Sequence, residues 1–319
     1  MTRVPPKPSA SRPRRSPAPA GAPSAEAPAT KAPAAKAPAA KAPVVLAASR
    51  SAVRLVYDQE DVSADYASDR RFVWALARGM EVLRAFEPGR GPLGVGEIAA
   101  LTGLPKPTVS RLTYTLAELG YLRVLHKQGR YEPAPALLAL GYPVLANLRV
   151  RQAAHDHMRQ LAQETGTAVG LASRDRLSMI YVENTASSAL ATLRLGIGSR
   201  VEMARSALGR AFLAALGETE RDYLLERLAR RYGAAWAELK PRVLDGIAQV
   251  QARGFCIVDG EWQPDVRTAG APLVSLDGTT IMAMNIGAPG YMLDQARLEK
   301  ELGPRIAHLS RMVAPLLGF

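Results

Sequence analysis

The sequence predicts an α+β chain: a small helical module closed by a β-hairpin, then helices packed on an antiparallel sheet. Three observations predict it. Ala99, Gly103 and Val109 stand at the spacing of two short helices that cross closely at a tight turn. Tyr121–Leu125 and Lys127–Tyr131 are β-prone runs around a glycine-containing turn. Beyond Gly166, strand-like and helix-like periods alternate, and Asp277-Gly278 lies between Leu273-Val274 and Ile281–Ile286, a strong hairpin signal.

Taken in order, residues 1–50 are rich in Pro, Ala, Lys and Ser and hold eleven of the 24 prolines. No aromatic residue precedes Tyr57, and Lys-Ala-Pro recurs at Lys31, Lys36 and Lys41. Such a segment buries too little apolar surface to offset its conformational entropy, so residues 1–68 are expected to be a disordered basic tail. A phosphate-grasping arm, a passive spacer and a start placed too early all fit this composition. Phe72, Leu76, Met80, Leu83 and Phe86 recur at helical spacing, with Asp69 as N-cap and Pro88 as terminator. Helices at Val95–Thr102 and Pro107–Leu119 and the hairpin complete a module over residues 69–133. An apolar helix broken near Gly141-Tyr-Pro143 spans Pro133–Leu148, giving a linker over 134–150. Over 151–319 the pattern reads helix Arg151–Thr165, strands Thr167–Ser173, Met179–Glu183 and Ala189–Leu195, and helices Leu208–Leu216, Glu218–Arg231 and Leu239–Ala252. Strands Phe255–Asp259 and Ala271–Ser275, the hairpin and a closing helix Leu293–Leu317 follow.

The module carries the chemistry. Ala99 is small where the second helix passes over the first. Gly103 tolerates the left-handed turn, and Val109 points back at the first helix. With Val109, Leu112, Leu116 and Leu119 inward, the outward row is Thr108, Ser110, Arg111, Tyr114 and Thr115. These side chains can hydrogen-bond base edges and phosphates in a major groove. Arg111 suits a bidentate contact to guanine. Lys106 and Pro107 open the helix, where a phosphate meets free N–H groups. Arg123, His126, Lys127 and Arg130 make the hairpin a basic wing. Charge agrees: of the net +12, residues 1–52 supply +8 (nine Lys/Arg against Glu26) and residues 68–133 supply +4 (ten against six), which leaves the remainder neutral. That footprint suits double-stranded DNA.

Other classes lack their residues. Four scattered histidines and the lone Cys256 give neither metal-ligand spacing nor a disulfide. There is no Gly-x-Ser-x-Gly, and no GxGxxG follows a strand. Cys256, between Phe255 and Ile257, reads as a buried hydrophobe, and Asp265 with Arg267 as a loop ion pair. The expectation is therefore no enzyme, no metal and no cofactor. No apolar run reaches the ~18 residues of a membrane span, and no secretory h-region opens the chain. A cytoplasmic protein with no membrane partner is expected.

Leu76-Ala-Arg-Gly-Met80-Glu-Val-Leu-Arg-Ala-Phe86, Gly103-Leu-Pro-Lys-Pro-Thr-Val-Ser-Arg-Leu112, Leu119-Gly-Tyr-Leu122, Gly129-Arg-Tyr131, Ser206-Ala-Leu-Gly-Arg-Ala211 and Gly254-Phe255 resemble the IclR family of bacterial transcriptional regulators. The resemblance covers about 69–319. Phe72–Gly79 and Thr108–Leu116 look most like the branch that regulates aromatic-acid catabolism through the β-ketoadipate pathway. It implies a winged helix-turn-helix, a linker helix and a GAF-like effector domain, and dimers or tetramers on palindromic operators. It also implies a small effector, a carboxylate or aromatic acid, held by Leu193, Met203, Ala207, Leu208, Val258, Thr268, Asn285 and Gly287. Arg205, beside an apolar helix start, and Asp259 extend that set. Thr268 stands where some members have Cys, Val258 where some have Asp, and Asn285 and Gly287 where some have Ser, so the ligand identity does not transfer. The rival reading is a non-specific DNA binder driven by its basic tail, with a structural dimerisation domain.

Overall fold

A computed structural model describes residues 69–190 and 195–317. The basic tail expected over 1–68 lies outside the described residues.

The N-terminal part is built on α1 (Trp74–Arg84), α2 (Val95–Thr102) and α3 (Lys106–Glu118), closed by β1 (Leu93–Gly94), β2 (Leu122–Leu125) and β3 (Arg130–Pro133). The strands form an antiparallel sheet in the order β1-β3-β2. Gly103 ends α2 in the left-handed region at φ 72°, and its N–H caps Ala99 O. Val82, Ala85, Leu93, Ile98, Val109, Leu116 and Leu122 form the core. Burying each large one contributes roughly 1.5–3 kcal/mol.

Three expectations change here. Asp69 does not cap α1. It accepts from Arg71, and Val73 holds the cap position. The face of α1 is also rotated: Gly79 meets Leu112 and Val82 is buried, while Leu76 and Met80 face outward with Val73. The helix is apolar on two sides, so periodicity alone does not choose between them. Leu119, expected inward, lies past the end of α3 and is exposed. Thr113 takes the inward place, its hydroxyl donating to Val109 O at 3.0 Å.

Next, α4 (Ala136–Asn147) runs unbroken through Pro143. The expected break at Gly141–Pro143 falls instead at Leu148. None of α4 is buried, so water reaches the carbonyl that Pro143 leaves unpaired. Then α5 (Arg149–Thr165) ends at the left-handed Gly166.

The C-terminal part is a six-stranded sheet, all antiparallel, in the order β6-β5-β4-β9-β8-β7. Its strands are β4 (Ala168–Asp175), β5 (Ser178–Ala186), β6 (Arg200–Glu202), β7 (Cys256–Asp259), β8 (Val266–Val274) and β9 (Ile281–Pro289). One face packs on α5, α9 (Gln295–Arg297) with the π turn Leu298–Leu302, and α10 (Gly303–Val313). The other packs on α6 (Ala207–Ala215), α7 (Glu218–Tyr232) and α8 (Trp236–Arg253). The expected strand Ala189–Leu195 is not one: Ser188–Leu190 is a 3-10 turn and 191–194 lie outside the described residues. The closing helix expected as one piece is interrupted by the π turn.

Candidate functional site

Two sites emerge, one on each part. On the first, α3 turns Lys106, Pro107, Ser110, Arg111, Tyr114 and Thr115 outward, with Thr108 half-buried. Pro107 sits in the first turn, and no side chain caps the helix start. Its free N–H groups and Lys106 therefore remain available to an anion. Among the described residues, Lys106 and Arg111 make no ion pair. Thr115 donates to Arg111 O at 2.9 Å, so its hydroxyl serves the helix.

The wing is divided. Lys127 and His126 lie exposed at its tip. Arg123 pairs across the strands with Glu132. Arg130 is held within the module: Nε donates to Pro92 O at 3.1 Å and the guanidinium pairs with Glu97. Arg130 and the Gly94 N–H hold the Glu97 carboxyl below the usual carboxylate range. Glu97 also accepts from Gly94 N at 2.8 Å, which closes the capping box of α2. Of the cations expected on DNA, Arg130 thus fixes wing to helix.

The second site is a cavity between the sheet and α6, partly open to solvent. Its position follows from local sequence. Ser206 caps α6, its Oγ accepting from Gly209 N at 3.1 Å. The first-turn N–H groups of Ala207 and Leu208 then have no helical partner. Gly270 of β8 lets this turn lie on the sheet, since a Cβ there would stand 2.4 Å from Ala207 O. Along β9, Met282, Met284, Ile286 and Ala288 fill one core, while Ala283, Asn285 and Gly287 face the other side.

Six of the ten expected effector residues line the cavity: Ala207, Leu208, Val258, Thr268, Asn285 and Gly287. Leu193 lies outside the described residues. Met203 is buried in the core beside α6 and does not line the cavity. Asp259 is exposed and paired with Arg267 at 2.9 Å. That partner replaces the Asp265–Arg267 pairing expected from the loop. Arg205, expected to receive a carboxylate, turns away because it has better partners. Its guanidinium lies 5.6 Å over the Tyr232 ring and 3.5 Å from Glu202.

The sequence reading missed Tyr181 and Asn184 of β5, Ser206, and Trp262 of the β7–β8 loop. Trp262 is held through its neighbour: Glu261 accepts two hydrogen bonds, at 2.9 and 2.6 Å, from the buried Arg210 of α6. Among the described residues lining the cavity, none carries a charge. Burial pushes Tyr181 up to about 12, so its phenol stays protonated. Burial likewise pushes Cys256 up to about 12. Its Sγ lies 3.5 Å from Ala207 O, a packed position without thiolate character.

Two family models match: the IclR helix-turn-helix domain over residues 75–126, and the bacterial transcriptional regulator IclR C-terminal domain over 142–314. The chain belongs to the IclR family. Its first part is the DNA-binding domain of a transcriptional regulator and its second the ligand-binding domain. The chain is similar to the HTH-type transcriptional regulator TsaQ1/TsaQ2 of Comamonas testosteroni, 30% identical over 239 residues, covering 74% of this chain and 86% of that protein. It is similar to the crystal structure of an IclR family transcriptional regulator from Brucella abortus, with 40% identity, a TM-score of 0.69, and coverage of 79% of this chain and 95% of that one. It shares its fold with an IclR homologue of Microbacterium hydrocarbonoxydans crystallised with 4-hydroxybenzoate, at 20% identity, a TM-score of 0.59, and coverage of 76% and 98%. Among the described residues, no helix is long and apolar enough to cross a membrane.

Proposed function

We propose that this regulator reads a palindromic operator as a homodimer or a pair of dimers, and that an organic acid in the cavity sets how well it does so. The division is a tail over 1–68, a DNA-binding domain over 69–133, a linker over 134–150 and an effector domain over 151–319. The observation that carries the reading is the outward row of α3. Lys106, Ser110, Arg111 and Tyr114 stand exposed on a supported helix, with no ion pair on either cation among the described residues. Arg111 and Tyr114 meet base edges or phosphates, and Lys106 a phosphate at the helix start. Lys127 and Arg123 add backbone affinity.

A second copy is supported by apolar surface. Val73 at the α1 cap, Leu76 and Met80 of α1, and Leu138, Leu140, Tyr142 and Val144 of α4 are large apolar side chains left exposed. Exposed apolar side chains in this number suit an interface with a second copy. Two-fold pairing would set half-sites about 34 Å apart.

The effector is a small, largely apolar carboxylate. Aromatic walls (Tyr181, Trp262), an uncharged lining and the unpaired N–H groups of Ala207 and Leu208 suit its ring and its acid group. An aromatic acid fits this description, and the Microbacterium homologue is crystallised with one, 4-hydroxybenzoate. The same reading takes the chain as a cytoplasmic member of the aromatic-catabolism branch that regulates and does not catalyse. The route to DNA runs through β5. Tyr181 and Asn184 line the cavity, while between them Glu183 holds Arg151 of α5 at 2.8 Å and Val182 O accepts from Arg151 Nε at 3.1 Å. Only Leu148 separates α5 from α4. A coupling of this kind is typically worth ~1–3 kcal/mol.

The test is fluorescence anisotropy with DNA from upstream of the chain's own gene against scrambled DNA, at physiological salt. The full chain and a Ser51–Phe319 truncation are compared. Retained sequence preference in the truncation supports the reading. Loss of all binding on removing residues 1–50 would instead establish the tail-driven, non-specific binder.

A further inference from the structure

The basic wing is held in place by an acid. Arg130, the first residue of β3, stands in register with Gly94 of β1 on one side and Leu125 of β2 on the other. The tip, residues 126–129, hangs between Leu125 and Arg130 and is closed by the Gln128 N–H, which donates to Leu125 O at 2.9 Å. The direction of the tip therefore depends on what holds Arg130.

Two groups hold it. Nε donates to Pro92 O at 3.1 Å, and the guanidinium pairs with Glu97. The Glu97 oxygen that takes the guanidinium also accepts from Gly94 N at 2.8 Å. One carboxylate oxygen thus joins the wing to the first turn of α2. The same turn supports the start of α3: a Cβ on Gly96 would stand 3.9 Å from Lys106 Cε, so the Lys106 stem runs beside it. Lys127 at the wing tip and Lys106 at the helix start share this turn as their base.

Stability does not account for the pair. The Glu97 side chain is 51% exposed and that of Arg130 34%, and an exposed pair contributes little to folding. Charge alone gives Glu97 an unfavourable part, because a carboxylate beside DNA-facing cations repels phosphates. Removing it would then tighten binding. Fixing the wing gives the opposite sign.

We propose that Glu97 is a positioning residue for DNA binding: through Arg130 it fixes the wing tip relative to the start of α3, so that this acidic side chain strengthens the hold on DNA. This rests on the reading of Lys127 as a backbone contact and goes beyond it by giving a carboxylate a favourable part in the interface.

The experiment is fluorescence anisotropy of the full-length protein over a salt series, on duplex from upstream of the chain's own gene and on scrambled duplex. Glu97→Gln removes the charge and keeps an acceptor for the Gly94 N–H. It is expected to weaken binding to both duplexes about threefold or more and to lower the slope of log affinity against log salt by about 1, with little change in melting temperature. Lys127→Gln is expected to do the same in the wild type and to add almost nothing in Glu97→Gln, where its contact is already lost. Equal or tighter binding by Glu97→Gln would overturn the proposal. So would a Lys127→Gln effect of the same size in both backgrounds, which would leave Lys127 a DNA contact placed without Glu97. No effect of Lys127→Gln in the wild type would overturn the wing reading and the proposal together. If Glu97→Gln does not fold, Arg130→Lys decides. It keeps the wing's charge and gives up the two-point hold, so it is expected to weaken binding in the same way, and unchanged binding would overturn the proposal.

Discussion

Removing the Arg210 guanidinium should destabilise the effector domain far more than an ordinary ion pair would. Arg210 is 3% exposed at its side chain and Glu261 is 15% exposed. The guanidinium makes three charge-assisted hydrogen bonds: two to Glu261, at 2.9 and 2.6 Å, and one from Nε to Ala204 O at 3.1 Å. Its stem also fills the space over Gly246, where a Cβ would stand 2.5 Å from Arg210 Cδ. Arg210→Ala therefore leaves a carboxylate largely out of water, an unpaired carbonyl and a void. Breaking a buried pair from one side costs about 3–5 kcal/mol. Arg242 lies 3.8 Å from Glu261 and is mostly exposed, so it recovers part of the loss and places the value toward ~3 kcal/mol. The double variant Arg210→Met with Glu261→Leu removes both charges and keeps most of the volume, so it should cost less than Arg210→Ala alone. Urea unfolding followed by circular dichroism at one protein concentration measures both. A loss under ~1 kcal/mol for Arg210→Ala would match a screened surface pair and refute the argument. Strictly additive single variants would refute it as well.

Arg111→Ala should weaken binding to the operator by ~1–3 kcal/mol while leaving scrambled DNA nearly unaffected; an unchanged preference in anisotropy titrations removes Arg111 from base readout. Leu138→Glu with Tyr142→Glu places charges on the exposed face of α4, so sedimentation should shift toward monomer and operator affinity should fall. Retention of both mass and affinity would show that α4 is no interface. In the β8–β9 turn, Asp277 is held down to about 2, mainly by Ser275 Oγ and then by the Thr279 N–H and hydroxyl. Its folded value lies below the ordinary 3.8, so the stability it lends is complete above about pH 4 and is lost as pH falls through about 2. Asp277→Asn should flatten the fall in stability across that window, and an unchanged acid limb of the stability profile would contradict it.

The DNA-reading module was almost fully legible because its rules are local. Ala99, Gly103 and Val109 dictate a crossing that the chain completes within a few residues, and α2 has the bounds the sequence predicts. What failed there was choice of face. Leu76 and Met80 satisfy helical periodicity as well as Val82 does, and only the packing of Gly79 on Leu112 decides which side is inside. Arg130 and Arg205 have partners that the sequence did not show, for a related reason. A cation's partner can lie far along the chain, as Glu97 does from Arg130, and an arginine's position in sequence says nothing of where its long side chain finds a carboxylate or a ring.

The cavity was half legible, and β9 explains which half. In Met282-Ala283-Met284-Asn285-Ile286-Gly287-Ala288, large apolar residues alternate with small or polar ones on a strand covered on both sides. A fully buried strand ordinarily reads as a continuous apolar run. One face that carries only Ala, Asn and Gly leaves volume that its own strand does not fill, and the Asn needs a partner that its own strand does not supply. That pattern is a local sign of a cavity, and it marks Asn285 without any structure. Tyr181, Ser206 and Trp262 carry no such sign, because each reaches the cavity from a different element. Trp262 arrives from the β7–β8 loop, whose Glu261 pairs with Arg210, 51 residues away in sequence. Residues that leave a space can thus be read from one strand, whereas those that close it are assigned only once the sheet order brings β5, β7, β8 and β9 together.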